Sequence, residues 1–219
     1  FVALLGGLDL SIPFVIGSMN VALMSLISKG VSPWLACLGV LLLDFFGAYL
    51  AHFTEHKVKP LWMVHLVHHS DHKVDITTSN RHHPLESIIR FTFTLFGVFI
   101  VGAPIAIVFI YQSLSLITSQ FIHANIKISR KVDKLLSYVI ISPDMHKIHH
   151  HHKLPYTDAN YGNIFSLWDR VFGTYIELDR DKIVYGVDTF PDEAKNSSLI
   201  ELLKQPFQGY RKPTGVEKV

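Results

Sequence analysis

The chain has one cysteine, Cys37, in 219 residues. A single thiol excludes a disulfide framework and a cysteine-held iron–sulfur cluster, and its place in an apolar run reads as a small buried hydrophobe. Charge is scarce as well. Asp, Glu, Lys and Arg together make up 17% of the residues, against about 25% in an ordinary soluble domain. The formal net charge is +2 and no Lys/Arg-dense run occurs, so nothing offers to neutralise a phosphate backbone and nucleic acid is excluded as a partner. The chain opens on Phe1 rather than Met, which reads as a trimmed start, and no targeting signal is inferred from it.

What is abundant is apolar. Hydrophobic residues reach 49% and mean hydropathy is +0.29, the profile of a membrane protein. Residues 10–28 and 33–52 are each about long enough to span the ~30 Å hydrocarbon layer, which takes roughly 20 helical residues. The short break at Lys29-Gly30 joins them as a helical hairpin. A third apolar region runs from about Leu85 to Phe121. As one straight helix at ~1.5 Å per residue it would exceed 50 Å. Gly102-Ala103-Pro104 offers a break, because Pro removes a donor and clashes with the preceding turn. The expectation is an all-α integral membrane protein of two transmembrane hairpins, about four spans, under one helical cap. Lys57, Lys59, Lys73, Arg81, Arg90, Lys127, Arg130, Lys131 and Lys134 flank the capping segments, which assigns that side to the cytoplasm. With no internal repeat or low-complexity linker, residues 1–219 read as a single membrane-embedded domain with 179–219 as its C-terminal tail.

Histidine is the other excess. There are fourteen, most of them in 52–83 and 146–152. His52 and His56 in "HFTEH" are one helical turn apart on one face. His65, His68 and His69 in "HLVHH" fall at i, i+3 and i+4, and His146, His149 and His150 in "HKIHH" repeat that spacing. Ser142 followed by Pro143 is a helix start for the last of these, and it rotates His151 and His152 off the shared face. His123, in "FIHAN", falls where the second hairpin re-emerges. A lone histidine pair is usually core or surface, but three clusters on one predicted side have little packing rationale. Neutral imidazole is the commonest biological metal ligand. Four positions satisfy one zinc-type ion, so eight or nine nitrogens imply two ions. Imidazole suits iron, zinc and copper alike, so spacing leaves the metal open. The residues thus predict a dinuclear histidine site at the membrane boundary.

The same motifs resemble the three histidine boxes of the fatty acid hydroxylase/sterol desaturase superfamily of membrane di-iron oxygenases. "LWMVHLVHHSDHKVDITTSNRHHPLE" at 61–86, "DANYGNIFSLWDRVFGTY" at 158–175 and "VYGVDTF" with "LLKQPF" in 184–207 are similar to its flanking sequences. The resemblance runs from about Asp44 to Phe207. It implies two iron ions, with zinc as a possible substitute, O2 as co-substrate, and hydroxylation or desaturation of a lipid C–H bond. It also implies a separate electron donor, cytochrome b5-like or ferredoxin-like, in a bacterial inner membrane or endoplasmic reticulum. By motif position the implied ligands are His52, His56, His65, His68, His69, His146, His149 and His150, with His123 and His83 added. Phe53 departs from the pattern, standing where members commonly carry Arg. Candidate partners for the ring N–H groups are Asp71, Asp75, Asn80, Asp144, Asp158 and Asn160, and also Asp44, since a carboxylate inside an apolar span is costly and tends to be functional.

Two other classes compete with an oxygenase. A membrane haem protein would place one histidine on each face of a porphyrin rather than in tight triplets. A metal transporter would hold its ligands on broken helices near the bilayer midplane. Neither the lipid nor the choice between hydroxylation and desaturation is written in the residues.

Overall fold

The computed structural model describes residues 11–216, with side chains from residue 17 onward; Leu10, at the start of the first expected span, lies outside the described residues. The architecture is all-helical, and among the described residues only isolated β-bridges occur. Helix α1 covers Ser11–Ser28. A positive φ at Gly30 turns the chain into α2, Pro33–Asp44, with Pro33 in its first turn. α2 runs through a π-helical segment, Phe45–Leu50, into α3, Ala51–Lys57, giving 25 residues of continuous helix. α4 is Lys59–His69, α5 Pro84–Val101 and α6 Ile105–His123. The expected break lies between the last two. Gly102 takes a left-handed conformation at φ 62°, the Ala103 amide donates back to the Val98 carbonyl, and Pro104 precedes the next helix, a glycine-capped stop.

Three helices are long and apolar enough to cross a membrane: Pro33–Lys57, Pro84–Val101 and Ile105–His123. At 1.5 Å per residue they measure about 37, 27 and 28 Å, near the ~30 Å hydrocarbon thickness. Their outward faces carry Ile88, Phe91, Phe96, Phe99 and Ile105, all more than half exposed. Lipid is the solvent that makes such a surface cheap. Cys37 belongs to this outward surface, not to the core as the apolar run around it suggests, because α2 packs through Val40 and Leu43 instead.

The packing interleaves the two expected hairpins. α1 lies mainly against α6, while α2 and its π segment contact both α6 and α5; α5 and α6 touch each other little. Ala22, Leu26, Leu43, Ile107, Ile110 and Tyr111 form the main apolar core. Gly47 makes this approach feasible, since a Cβ there would come within 2.7 Å of Tyr111 Oη on α6 and 2.9 Å of Thr94 Oγ1 on α5. The remaining helices, α7 (Arg130–Leu136), α8 (Pro143–His149), α9 (Leu167–Val171), α10 (Glu193–Asn196) and α11 (Leu199–Lys204), join α4 in a layer of short helices. It gathers at the end of the bundle where α3 and α6 finish and α5 begins.

Candidate metal centre

The ends of α3, α4, α6 and α8 converge on two groups of imidazoles. His52, His56, His65, His69 and His149 form the first, and His68, His123, His146 and His150 the second, with the ligand atoms of each group within 4.8 Å of one another. Helical spacing explains the convergence. His52 and His56 are one turn apart on α3; His65 and His69 are one turn apart on α4, with His68 turned to the neighbouring group. α8 begins where the sequence predicts, the Ser142 hydroxyl accepting from the Met145 amide with Pro143 in the first turn. It sends His149 to the first group and His146 and His150 to the second. All nine rings are buried, that of His56 included: its backbone is partly open but its side chain is 1% exposed.

Ring orientation is imposed from outside. His52 Nδ1–H donates to the Tyr161 carbonyl at 2.7 Å and His149 Nδ1–H to the Ala159 carbonyl at 2.6 Å. His65 Nδ1–H donates to Glu86 Oε1 at 2.7 Å and His123 Nδ1–H to the Ser119 carbonyl at 2.7 Å. His56 Nδ1 lies 3.5 Å from Asp158 Oδ1. A carbonyl can only accept, so each such bond places the ring proton on Nδ1 and leaves the Nε2 lone pair facing inward. His68, His69, His146 and His150 have no Nδ1 hydrogen-bond partner among the described residues.

The inward nitrogens fit a metal better than they fit one another. His52 and His69 Nε2 lie 3.1 and 3.2 Å from His65 Nε2. In the second group, His123 Nε2 lies 2.9 Å from His146 Nε2 and 3.2 Å from those of His68 and His150, and His146 and His150 are 3.2 Å apart. His52 and His65 both carry their proton on Nδ1, so their facing lone pairs repel and neither has a proton to share. Ligands at 2.0–2.1 Å from one ion would stand about 3.3 Å apart in a tetrahedron and about 2.9 Å apart at right angles, which brackets these spacings. Burial, reinforced by neighbouring rings, holds His68, His69, His146, His149 and His150 well below the usual imidazole range. Burial also lowers His65 to about 4, against the opposing pull of Glu86. All six are neutral at pH 7, the form that binds metal.

His83 joins neither group. It N-caps α5, its Nδ1 accepting from the Leu85 amide, and its Nε2 lies 3.3 Å from the Leu203 carbonyl. Its neighbour His82 turns inward instead, stacking on His68 at 4.5 Å and meeting Glu86 Oε1 with Nδ1 at 2.8 Å. Of the expected ring partners, Asp158 alone reaches a histidine. Burial opposes its ionisation, but His56 and Lys57 hold its carboxyl well below the usual carboxylate range. Asp44 lies eight residues before His52, about 12 Å along a helix, too far for its carboxylate. It accepts instead from the Ile164 and Phe165 amides and from Trp168 Nε1. Asn160 clasps the Met145 and Ile176 backbone, supporting α8 rather than a ring. Asp71 and Asp75 serve local turns with Thr78 and Thr77, Asp144 pairs with Arg180, and Asn80 is exposed.

Two further acidic residues beside the rings are ones sequence reasoning passed over. Glu55 and Glu86 are fully buried. Arg90 joins them, at 2.8 Å from Glu55 Oε2 and 3.1 Å from Glu86 Oε1, and Glu55 Oε2 lies 3.8 Å from His65 Nδ1. The available signal was the spacing of His82, Glu86 and Arg90, four residues apart along the entry to α5. A cavity of about 260 Å³ opens onto His56 and Asp158, walled by Lys57, Trp62, His152 and Tyr210.

The model of the fatty acid hydroxylase family matches residues 36–174. Alkylglycerol monooxygenase of Xenopus tropicalis is 28% identical over 158 residues, 71% of this chain and 33% of that protein. Ornithine lipid hydroxylase OlsE of Rhizobium tropici is 25% identical over 138 residues, 63% of this chain and 40% of that protein. Methylsterol monooxygenase 1 of Rattus norvegicus is 24% identical over 143 residues, 64% and 46% respectively. The chain spans about a third of the length of the alkylglycerol monooxygenases it matches. No solved structure matches it.

Proposed function

The chain belongs to the fatty acid hydroxylase family, and from that premise we propose that it is a membrane oxygenase that hydroxylates a lipid C–H bond at a pair of iron ions. The observation that carries the reading is the two groups of inward Nε2 atoms at metal-ligand spacing. His52, His56, His65, His69 and His149 would hold one ion, and His68, His123, His146 and His150 the other. Zinc would occupy the same nitrogens in a metal-exchanged sample. When bound, the irons supply oxygen activation and the oxidant for an unactivated carbon, chemistry that side chains lack. The balance is one lipid C–H, O2, two electrons and two protons to one C–OH and water.

The chain's own residues shape that chemistry. The Tyr161 and Ala159 carbonyls and Glu86 fix three rings of the five-histidine group, so ligand geometry is set before any ion arrives. Burial keeps the rings neutral and limits water at the centre. The cavity beside His56 gives a polar group of the lipid a place among Lys57, Asp158 and Tyr210. Electrons would come from a separate donor, since the single cysteine cannot hold an iron–sulfur cluster. The flanking Lys and Arg residues favour the cytoplasmic side for the short-helix layer, with α1 as a fourth crossing whose described part, Gly17–Ser28, is apolar.

Two features weigh against the competing classes. Nitrogens about 3 Å apart leave no room for a porphyrin between them, and the clusters sit at helix ends rather than at mid-span. The decisive experiment is lipid analysis of cells expressing the wild type beside His149→Ala under labelled oxygen, with iron measured in both purified proteins. A labelled lipid product absent in the variant is expected; identical lipid profiles and no bound iron in the wild type would overturn the proposal.

A further inference from the structure

The short-helix layer carries large apolar side chains on two outward faces that the described chain leaves open. Leu199, Ile200, Leu203 and Phe207 are 71, 63, 42 and 75% exposed. Their spacing places them along one side of α11 and the turn that follows. The opposite side is pinned down: Gln205 is buried and this turn packs on α4. The Leu203 carbonyl meets His83, the residue that caps the membrane helix α5. The apolar side of α11 therefore stands beside the first turn of α5, where Leu85 and Ile88 face outward.

A second face is built from Leu135, Tyr138, Val139, Val171 and Phe172, each more than half exposed. Arg170 knits its two halves, donating to the Ser137 carbonyl at 2.9 Å and lying over the Tyr138 ring. This face is also continuous with a span. Phe172 stacks on Phe45 and Tyr49 at 5.6 and 5.3 Å, both within Pro33–Lys57. Lys134 borders it, its Nζ 5.8 Å from the Tyr138 ring centre.

Soluble surfaces rarely leave such patches without a partner. Both begin where a membrane helix leaves its lipid-facing surface, and both lie at the same end of the bundle. We propose that these two faces seat the short-helix layer in the interfacial zone of the bilayer, their side chains reaching roughly 5–10 Å into the headgroup and acyl boundary. The occupant is lipid, not a second protein. The layer holding the histidine centre is then half sunk, and a lipid substrate travels only a short way out of its leaflet to reach it. This rests on the reading of the long helices as membrane spans.

The test places single nitroxide labels in a Cys37→Ser background at Ile200→Cys and Leu135→Cys, with Phe91→Cys near the middle of α5 and Lys182→Cys on the polar surface as references. Each is reconstituted at one chain per lipid nanodisc, with bound metal measured to verify the fold. The expected result is relaxation by oxygen several-fold above that by a water-soluble nickel chelate at 200 and 135, as at 91, with the reverse at 182. Nickel-dominated relaxation at 200 and 135, with 91 still in lipid, would overturn the inference alone. Protection from both reagents would overturn it too, since protein would then cover those faces. Nickel access at 91 would remove the membrane reading itself.

Discussion

Replacing Glu86 by Gln keeps the shape and one acceptor oxygen of a buried side chain while removing its charge. In the native protein Glu86 Oε1 lies 2.7 Å from His65 Nδ1, 2.8 Å from His82 Nδ1 and 3.1 Å from Arg90 Nε. A hydrogen bond to a charged group contributes about 1.5–3 kcal/mol net, against about 0.5–1.5 for a neutral one. The variant therefore loses about 1 kcal/mol or more at the His65 bond alone, and it leaves Arg90 with Glu55 as its one remaining carboxylate. Outer partners of this kind typically set metal affinity within about 10–100-fold. The expected outcome of Glu86→Gln is an affinity loss in that range at the five-histidine group, while the group of His68, His123, His146 and His150 keeps its ion. Metal content after timed dialysis against a chelator reads this directly: one ion should leave early in the variant and late in the wild type. Thermal melting in parallel separates a local effect from collapse. Two ions retained with wild-type release rates would refute the reasoning, because the carboxylate would then do nothing for His65.

Three further outcomes follow from the geometry. His152→Ala and His83→Ala should each retain both ions, and His83→Ala most oxygen-dependent turnover as well, since neither ring points into a histidine group; loss of an ion in either would show that the ligand faces are misassigned. Asp44→Asn should lower thermal stability by about 1–3 kcal/mol with metal content unchanged, because its carboxylate holds the 164–168 backbone and Trp168 rather than a ring; early loss of metal would contradict that. The metal-free protein should lose stability as pH falls from the ordinary imidazole value near 6.5 towards the value of about 4 at His65. The sign follows from burial: lowered histidines stay neutral in the fold while the unfolded chain takes up protons. Melting temperatures flat across that window would refute it.

Much of the centre was legible because helical spacing and histidine chemistry agree. Three runs of spaced histidines could be read as three helix faces, and Gly102-Ala103-Pro104 and Ser142-Pro143 mark their boundaries by local backbone rules. What escaped depends on contacts distant in sequence. His82 and His83 are chemically identical neighbours, and only the capping of α5 decides which one turns inward. Glu55 and Glu86 look like ordinary surface acids until Arg90 folds against them. The carbonyls of Ala159 and Tyr161 carry no side-chain signal at all. The interleaving of the helices, with α1 against α6, depends on close approaches such as the one at Gly47, which hairpin reasoning from loop lengths does not see.

The stretch from Asp158 to Tyr161 touches His56, His149 and His52 within four residues. Asp169 fastens it by accepting from the Tyr161 and Gly162 amides. During synthesis the ribosome therefore delivers the imidazoles of α3 long before the groups that aim them. A growing chain that ends before residue 146 already carries six of the nine clustered rings, yet none from α8 and neither aiming carbonyl. Maturation of the centre is thus a late event, and a premature stop upstream of this stretch leaves histidines able to scavenge ions without arranging them.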